Sequence, residues 1–195
     1  MRQATVKRQT TETDVEISIN LDGVGKCESS TGVSFLDHML SHLAVHGMFD
    51  LDVKGKGDLQ IDPHHTIEDT ALVLGQAMDE ALRDRIGITR IAAAYVPMDD
   101  ALAHVAVDLS GRPYALMQAD WHTPSIGQYP TRLVPHFFES LAVTLRANIH
   151  ARIIYGREDH HQAEALFKAL GRALDVASQM DPRRGTAVPS TKGSL

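Results

Sequence analysis

The chain has 195 residues, 43 % of them hydrophobic and 23 % charged, with a formal net charge of −6 and a single cysteine. This length supports one or two small domains with a real core. The acidic balance excludes a global basic field for nucleic acid, though not a local basic pocket for a small anion, and one cysteine excludes a disulfide framework or a thiolate zinc site. No apolar run approaches the roughly 20 residues of a membrane span. The opening, MRQATVKRQTTETDV, lacks the apolar stretch of a signal peptide. The expectation is a soluble, cytoplasmic protein whose 11 histidines need explaining.

Residues 13–21 alternate, apolar from Val15 onward, and predict a half-buried strand ended by Asp22-Gly23. Residues 33–49 repeat apolar positions at helical spacing, with Gly47 suited to a C-terminal stop. Residues 49–53 alternate again and run into the glycine-rich KGKGD. From His64 a long amphipathic helix, HHTIEDTALVLGQAMDEALRD, extends toward Gly87. Residues 91–96 and 102–109 read as strands, and Pro135 introduces a helix, HFFESLAVTLRANI. A short strand at 151–155 precedes the helix HHQAEALFKALGRALDVASQ, which Asp181-Pro182 ends; the last stretch, 183–195, reads as an irregular tail. Strands, helix, strand and helix therefore occur twice, as an internal repeat does.

The histidines align the halves. His38 lies in the first helix and His64-His65-Thr66-Ile67-Glu68 opens the second; His136 lies in the third and His160-His161-Gln162-Ala163-Glu164 opens the fourth. On a helix, His64 and Glu68 share a face at i and i+4, and His65 and Glu68 are neighbours at i and i+3. Consecutive histidines point about 100° apart, so His64 and His65 do not share one ion. The pattern predicts two metal ions, each with His and Glu ligands drawn from both halves or from neighbouring subunits. Imidazole and carboxylate without thiolate suit Mn(II), Fe(II) or Zn(II), and a carboxylate beside such a site offers acid–base chemistry. The bland alternative for HHxxE is a solvated helix start, where the dipole favours acids but not paired histidines. His104, His122 and His150 are read as structural, His42 as a surface residue, and His46 as either. Arg90, Arg112, Lys168 and Lys192 are candidates for an anion or plain surface charges. Ser190-Thr191-Lys192-Gly193 is a phosphate-gripping loop or a disordered tail.

The segments FLDHMLSHLAVHG, DPHHTIEDTALVLGQAMDEAL, DLSGRPY, HFFESLAVTLRANIH and GREDHHQAEALFKALGRAL together resemble the imidazoleglycerol-phosphate dehydratase family in its monofunctional form, from Glu12 to Lys192. The resemblance implies an α+β fold: a tandem duplication of a small β-sheet packed on two helices (ribosomal protein S5 domain 2-like halves), here residues 1–89 and 90–182, with 183–195 contributing phosphate contacts. It implies a hydro-lyase of histidine biosynthesis that converts imidazole glycerol phosphate to imidazole acetol phosphate, two manganese ions per chain, and a homo-oligomer of 24 subunits with sites between them. It carries metal ligation onto His38, His64, His65, Glu68, His136, His160, His161 and Glu164. It carries phosphate binding onto Arg90, Arg112, Lys168, Ser190 and Lys192, and substrate contact onto His38, His46 and Glu12, the last from a neighbouring chain. His42 is left off the ligand set. In the chemistry this implies, the carbon-bound proton is not acidic by itself; loss of the hydroxyl gives a diazafulvene-like intermediate and loss of the proton an enol. Glu164 or its counterpart Glu68 is the expected proton shuttle, ahead of Glu12. A dinuclear phosphohydrolase and a metal-storage protein are the competing readings.

Overall fold

A computed structural model describes all 195 residues. The first half runs β1 (Gln3–Gln9), β2 (Thr13–Asn20), β3 (Cys27–Ser30), α1 (Ser34–Gly47), β4 (Asp50–Gly57) and α2 (His64–Leu82). The second runs β5 (Ile91–Met98), β6 (Ala101–Asp108), β7 (Tyr114–Gln118), a small hairpin of β8 (Ser125–Ile126) and β9 (Tyr129–Pro130), α3 (Leu133–Leu145), β10 (Asn148–Tyr155) and α4 (Asp159–Ser178). The two main sheets have the orders β1-β2-β4-β3 and β5-β6-β10-β7, the same topology twice. Only the last pair in each is parallel. The fold is therefore α+β, with a duplicated unit of one four-stranded sheet and two helices. No helix is long and apolar enough to cross a membrane.

The alternation seen in the sequence is the alternation of faces. Val15, Ile17 and Ile19 on β2, and Ala103, Val105 and Val107 on β6, point to one core while their neighbours face outward. The helices then pair across the halves. α2 packs on β1 and β2 and against α3; α4 packs on β5 and β6 and against α1. The helices thus lie between the two sheets, and the buried apolar residues of both halves form one cluster.

Glycine sets how closely the paired helices approach. A Cβ on Gly171 of α4 would lie 2.6 Å from the Leu43 carbonyl oxygen of α1, and one on Gly75 of α2 would lie 2.7 Å from the Leu141 carbonyl oxygen of α3. Both glycines stand eleven residues after the first histidine of their HHxxE motif. Gly47 does not supply the left-handed stop expected of it. Met48 takes that conformation (φ 56°), as Arg146 does after α3 (φ 53°), and Gly47 instead makes room for the Phe49 ring. Pro135 falls inside the first turn of α3 rather than before it, where its missing N–H is not needed. The halves differ in one connection. Residues 31–33 join β3 to α1, whereas 119–132 join β7 to α3 and include the β8–β9 hairpin.

Candidate metal centre

Cross-half packing brings the histidines together in two clusters. His38 of α1 meets His160 and Glu164 of α4, and His136 of α3 meets His64 and Glu68 of α2, with one potential ligand atom from each residue inside 4.8 Å of the others. In the first, His38 Nε2 and His160 Nε2 each lie 2.9 Å from Glu164 Oε1. In the second, His136 Nε2 is 3.5 Å and His64 Nε2 3.8 Å from the two oxygens of Glu68. The helix period puts His and Glu at i and i+4 on one face in both, and the third member comes from the other half of the chain.

The two carboxylates differ in environment. The Glu164 side chain is 7 % exposed and that of Glu68 37 %. Burial opposes the ionisation of Glu164, but hydrogen bonds from Lys168, His38 and His160 outweigh it and hold the carboxyl well below the usual range. Burial also pushes the neighbouring His42 imidazole down to about 4, against the attraction of Glu164.

His65 and His161 join neither cluster within the chain. Each is held by a carboxylate at Nδ1: Asp58 Oδ2 accepts from His65 at 3.0 Å and Asp100 Oδ1 from His161 at 2.7 Å. These bonds raise both imidazole pKa values, and the His161 bond, with the Arg157 and Glu158 amides, holds the Asp100 carboxyl well below its ordinary value. A carboxylate on Nδ1 fixes the ring and leaves Nε2 as its available nitrogen. Asp58 and Asp100 were not among the residues expected at the site. Asp100 was findable from the repeat, because the registers Gln3↔Asn20 and Ile91↔Asp108 put it at the hairpin position of Glu12. Glu12 itself lies 3.9 Å from His65 Nδ1 and is half exposed.

The anion candidates fall into two places. Arg90 is tied to Asp108 (2.7 and 2.9 Å) and to the Pro189 carbonyl at 2.7 Å, which lays the tail and Ser190 beside it. Arg112 follows Gly111, against which the last residues of the tail pack, and Lys192 donates its backbone N–H to Ser190 Oγ. Lys168 is elsewhere, with Nζ 2.9 Å from Glu164 Oε2 and 3.1 Å from Met98 Sδ. Arg90 and Met98 bracket β5, a span of roughly 25 Å, so Lys168 and Arg90 of one chain do not meet. His46 stacks on His42, 5.9 Å between ring centres, farther along α1.

Above the first cluster lies a cavity of about 460 Å³ lined by Phe35, His38, His160 and Ile126, Gly127 and Gln128 of the hairpin. Asp159 pins this connection to the start of α4. Buried, it accepts from the His122 and Thr123 amides (3.0 and 2.7 Å) and the Thr123 hydroxyl (2.6 Å). Sequence reasoning missed Asp159 because its partners lie 36 residues and more away. Of the histidines read as structural, His104 and His150 stack on Tyr95 and Tyr114 on the outer face of the second sheet.

Comparison with known proteins matches these features to one family. Residues 31–174 fit the family model described as imidazoleglycerol-phosphate dehydratase. A protein of that name from Roseiflexus sp. (strain RS-1) is 58 % identical over 194 residues, covering 100 % of this chain and 98 % of that one. Another from Chloroflexus aggregans is 56 % identical and covers 100 % and 95 %. The crystal structure of the Staphylococcus aureus enzyme superposes with a TM-score of 0.82 at 35 % identity, over 92 % of this chain and 99 % of that one. The Pyrococcus furiosus structure gives 0.80 at 38 %, over 97 % and 100 %. Sequence, topology and full-length coverage agree, and the chain belongs to the imidazoleglycerol-phosphate dehydratase family of hydro-lyases.

Proposed function

We propose that the chain dehydrates imidazole glycerol phosphate to imidazole acetol phosphate in cytoplasmic histidine biosynthesis, and that it does so with two manganese ions per chain. The observation that carries the metal reading is the pair of His–Glu–His clusters, each drawn from both halves. The donor set fits: imidazole and carboxylate without thiolate suit manganese in an octahedral site with open positions. His136 Nε2 is buried with no hydrogen-bond partner, a lone pair that a cation would satisfy.

His38, His160 and Glu164 would hold one ion and His64, His136 and Glu68 the other. His65 and His161, anchored at Nδ1 and aimed away, would complete the ligand sets from neighbouring copies. Bound metal supplies positive charge that makes the substrate's imidazole ring an electron acceptor. The phosphate is gripped by Arg90, Arg112, Ser190 and Lys192 of one chain and Lys168 of another, since β5 separates Lys168 from Arg90 within a chain. Glu12, half exposed on its hairpin, reaches toward a neighbour's substrate. Ile91, Tyr95, Tyr114 and Tyr155 leave an apolar, aromatic outer face on the second sheet. All of this supports a homo-oligomer, in our reading one of 24 subunits.

The reaction needs one carbon-bound proton moved and one hydroxyl expelled as water, leaving an enol that tautomerises to the ketone. Glu164 is assigned the proton on position, as a carboxylate of the first cluster near the start of α4. Glu68 is its counterpart at the second cluster.

Manganese content per chain, ketone formation and inorganic phosphate release are measured on the same protein. Two ions per chain with ketone and no phosphate are expected. One ion per chain would collapse the division between the clusters, and phosphate release would make the protein a phosphohydrolase. Full turnover by Glu164→Gln with both ions bound would remove Glu164 from its role.

A further inference from the structure

The two oxygens of Glu164 have different neighbours. Oε1 faces His38 Nε2 and His160 Nε2, each at 2.9 Å. Oε2 faces Lys168 Nζ at 2.9 Å and His42 Nε2 at 3.3 Å, and the same His42 nitrogen lies 3.3 Å from His38 Nε2. The second cluster has no such support. Matching His38 to His136 puts Ser140 where His42 stands, and matching His160 to His64 puts Leu72 where Lys168 stands. Glu68 is correspondingly more exposed, and its oxygens lie 3.5 and 3.8 Å from their histidines.

We infer that His42 and Lys168 are positioning residues that hold Glu164 with Oε1 turned to the imidazoles, and that they make this cluster the tighter of two unequal metal sites. The inference rests on the two-metal reading above and adds a rank order to it. A free glutamate loses rotamer freedom when a metal fixes it. Glu164 has lost that freedom already, to partners on the oxygen that faces away from His38 and His160, whereas Glu68 loses it on binding. Partners that orient a ligand from behind typically change metal affinity ~10–100-fold. Lys168 also brings a charge that repels a cation, so His42 gives the cleaner test.

The experiment is graded chelator competition on the manganese-loaded, assembled protein, read as manganese retained per chain. Wild type is expected to release its ions in two classes. His42→Leu should weaken the tighter class by about 10–100-fold and leave the weaker class in place. His42→Gln, which keeps an N–H donor, should stay within about threefold of wild type on the same scale. Should His42→Leu fail to assemble, His42→Asn, polar but too short to reach Oε2, is read by the same criterion. A single class in wild type overturns the inference, as does a leucine variant that leaves both classes unchanged or weakens both equally. A wild-type protein that takes up no manganese refutes the metal reading itself, and the rank order with it.

Discussion

Replacing Gly171 by alanine separates helix propensity from helix packing. In an ordinary helix interior the change stabilises by ~1 kcal/mol, because alanine restricts the unfolded chain and glycine does not. Here the added Cβ would sit 2.6 Å from the Leu43 carbonyl oxygen and 3.0 Å from the Gly47 amide nitrogen. Both are backbone atoms, so relief requires α1 to move as a body. Overpacking of this kind costs about 1–3 kcal/mol, which outweighs the propensity gain. At roughly 2–4 °C per kcal/mol for a chain of this size, the apparent Tm should fall by a few degrees, measured at fixed protein concentration because assembly shifts it. Movement of α1 also carries His38 away from His160 and Glu164, so manganese retention should fall at that cluster and persist at the other. Gly75→Ala should give the mirror result, its Cβ meeting the Leu141 carbonyl oxygen of α3 at 2.7 Å. A rise in Tm for Gly171→Ala, with both ions retained, would show that the helices have slack at this crossing and that glycine does not set the cluster.

Asp79→Ala should cost about 3–5 kcal/mol in urea unfolding, because it leaves the Arg85 guanidinium, 2 % exposed, as an unpaired buried charge; a loss under 1 kcal/mol would mean that the Leu145 and Arg146 carbonyls hold Arg85 unaided. Asp58→Ala and Asp100→Ala remove the partners that orient His65 and His161 and should each weaken manganese binding ~10–100-fold, with unchanged affinity in a metal titration counting against the role. Asp159→Ala should open the segment 119–132 to limited proteolysis while the rest of the chain resists. In wild type the same anchor depends on pH. Burial opposes the Asp159 charge, but the Thr123 hydroxyl and the His122 and Thr123 amides depress its pKa below the ordinary value. Its contribution is therefore present above the unfolded carboxylate range near pH ~4 and is lost as pH falls below it. Cleavage in 119–132 that is as slow at pH 3 as at pH 7 would contradict this.

The elements legible in the sequence are those whose burial is periodic. β2 and β6 bury alternate residues, and the helices carry their large apolar side chains at helical spacing, although α2 and α4, covered by a sheet and by a second helix, bury more than one face. β1 escaped notice because only Val6 of its seven residues is buried, and β3 and β7 because short edge strands need little apolar sequence. Their pairing comes from neighbouring strands rather than from their own composition. The phosphate candidates were legible as residue types but not as a group. Lys168 stands with Glu164 at one end of β5 and Arg90 with the tail at the other, a distance hidden in a list of basic residues.

The sequence by itself determined that His and Glu of each HHxxE share a helix face, because the 3.6-residue period admits no other arrangement. It also determined that His64 and His65, or His160 and His161, point about 100° apart and do not converge on one point. The repeat gave each motif an upstream histidine but left open whether the ligands of one site are drawn from both halves of a chain or from neighbouring subunits. Tertiary structure made the choice: α1 packs on α4 and α2 on α3, so His38 joins the motif of the second half and His136 that of the first. That crossing is set by how closely Gly75 and Gly171 let the helices approach. Whether Glu164 or Glu68 is the fixed carboxylate was likewise decided by packing, which buries one against His42 and Lys168 and leaves the other open to solvent.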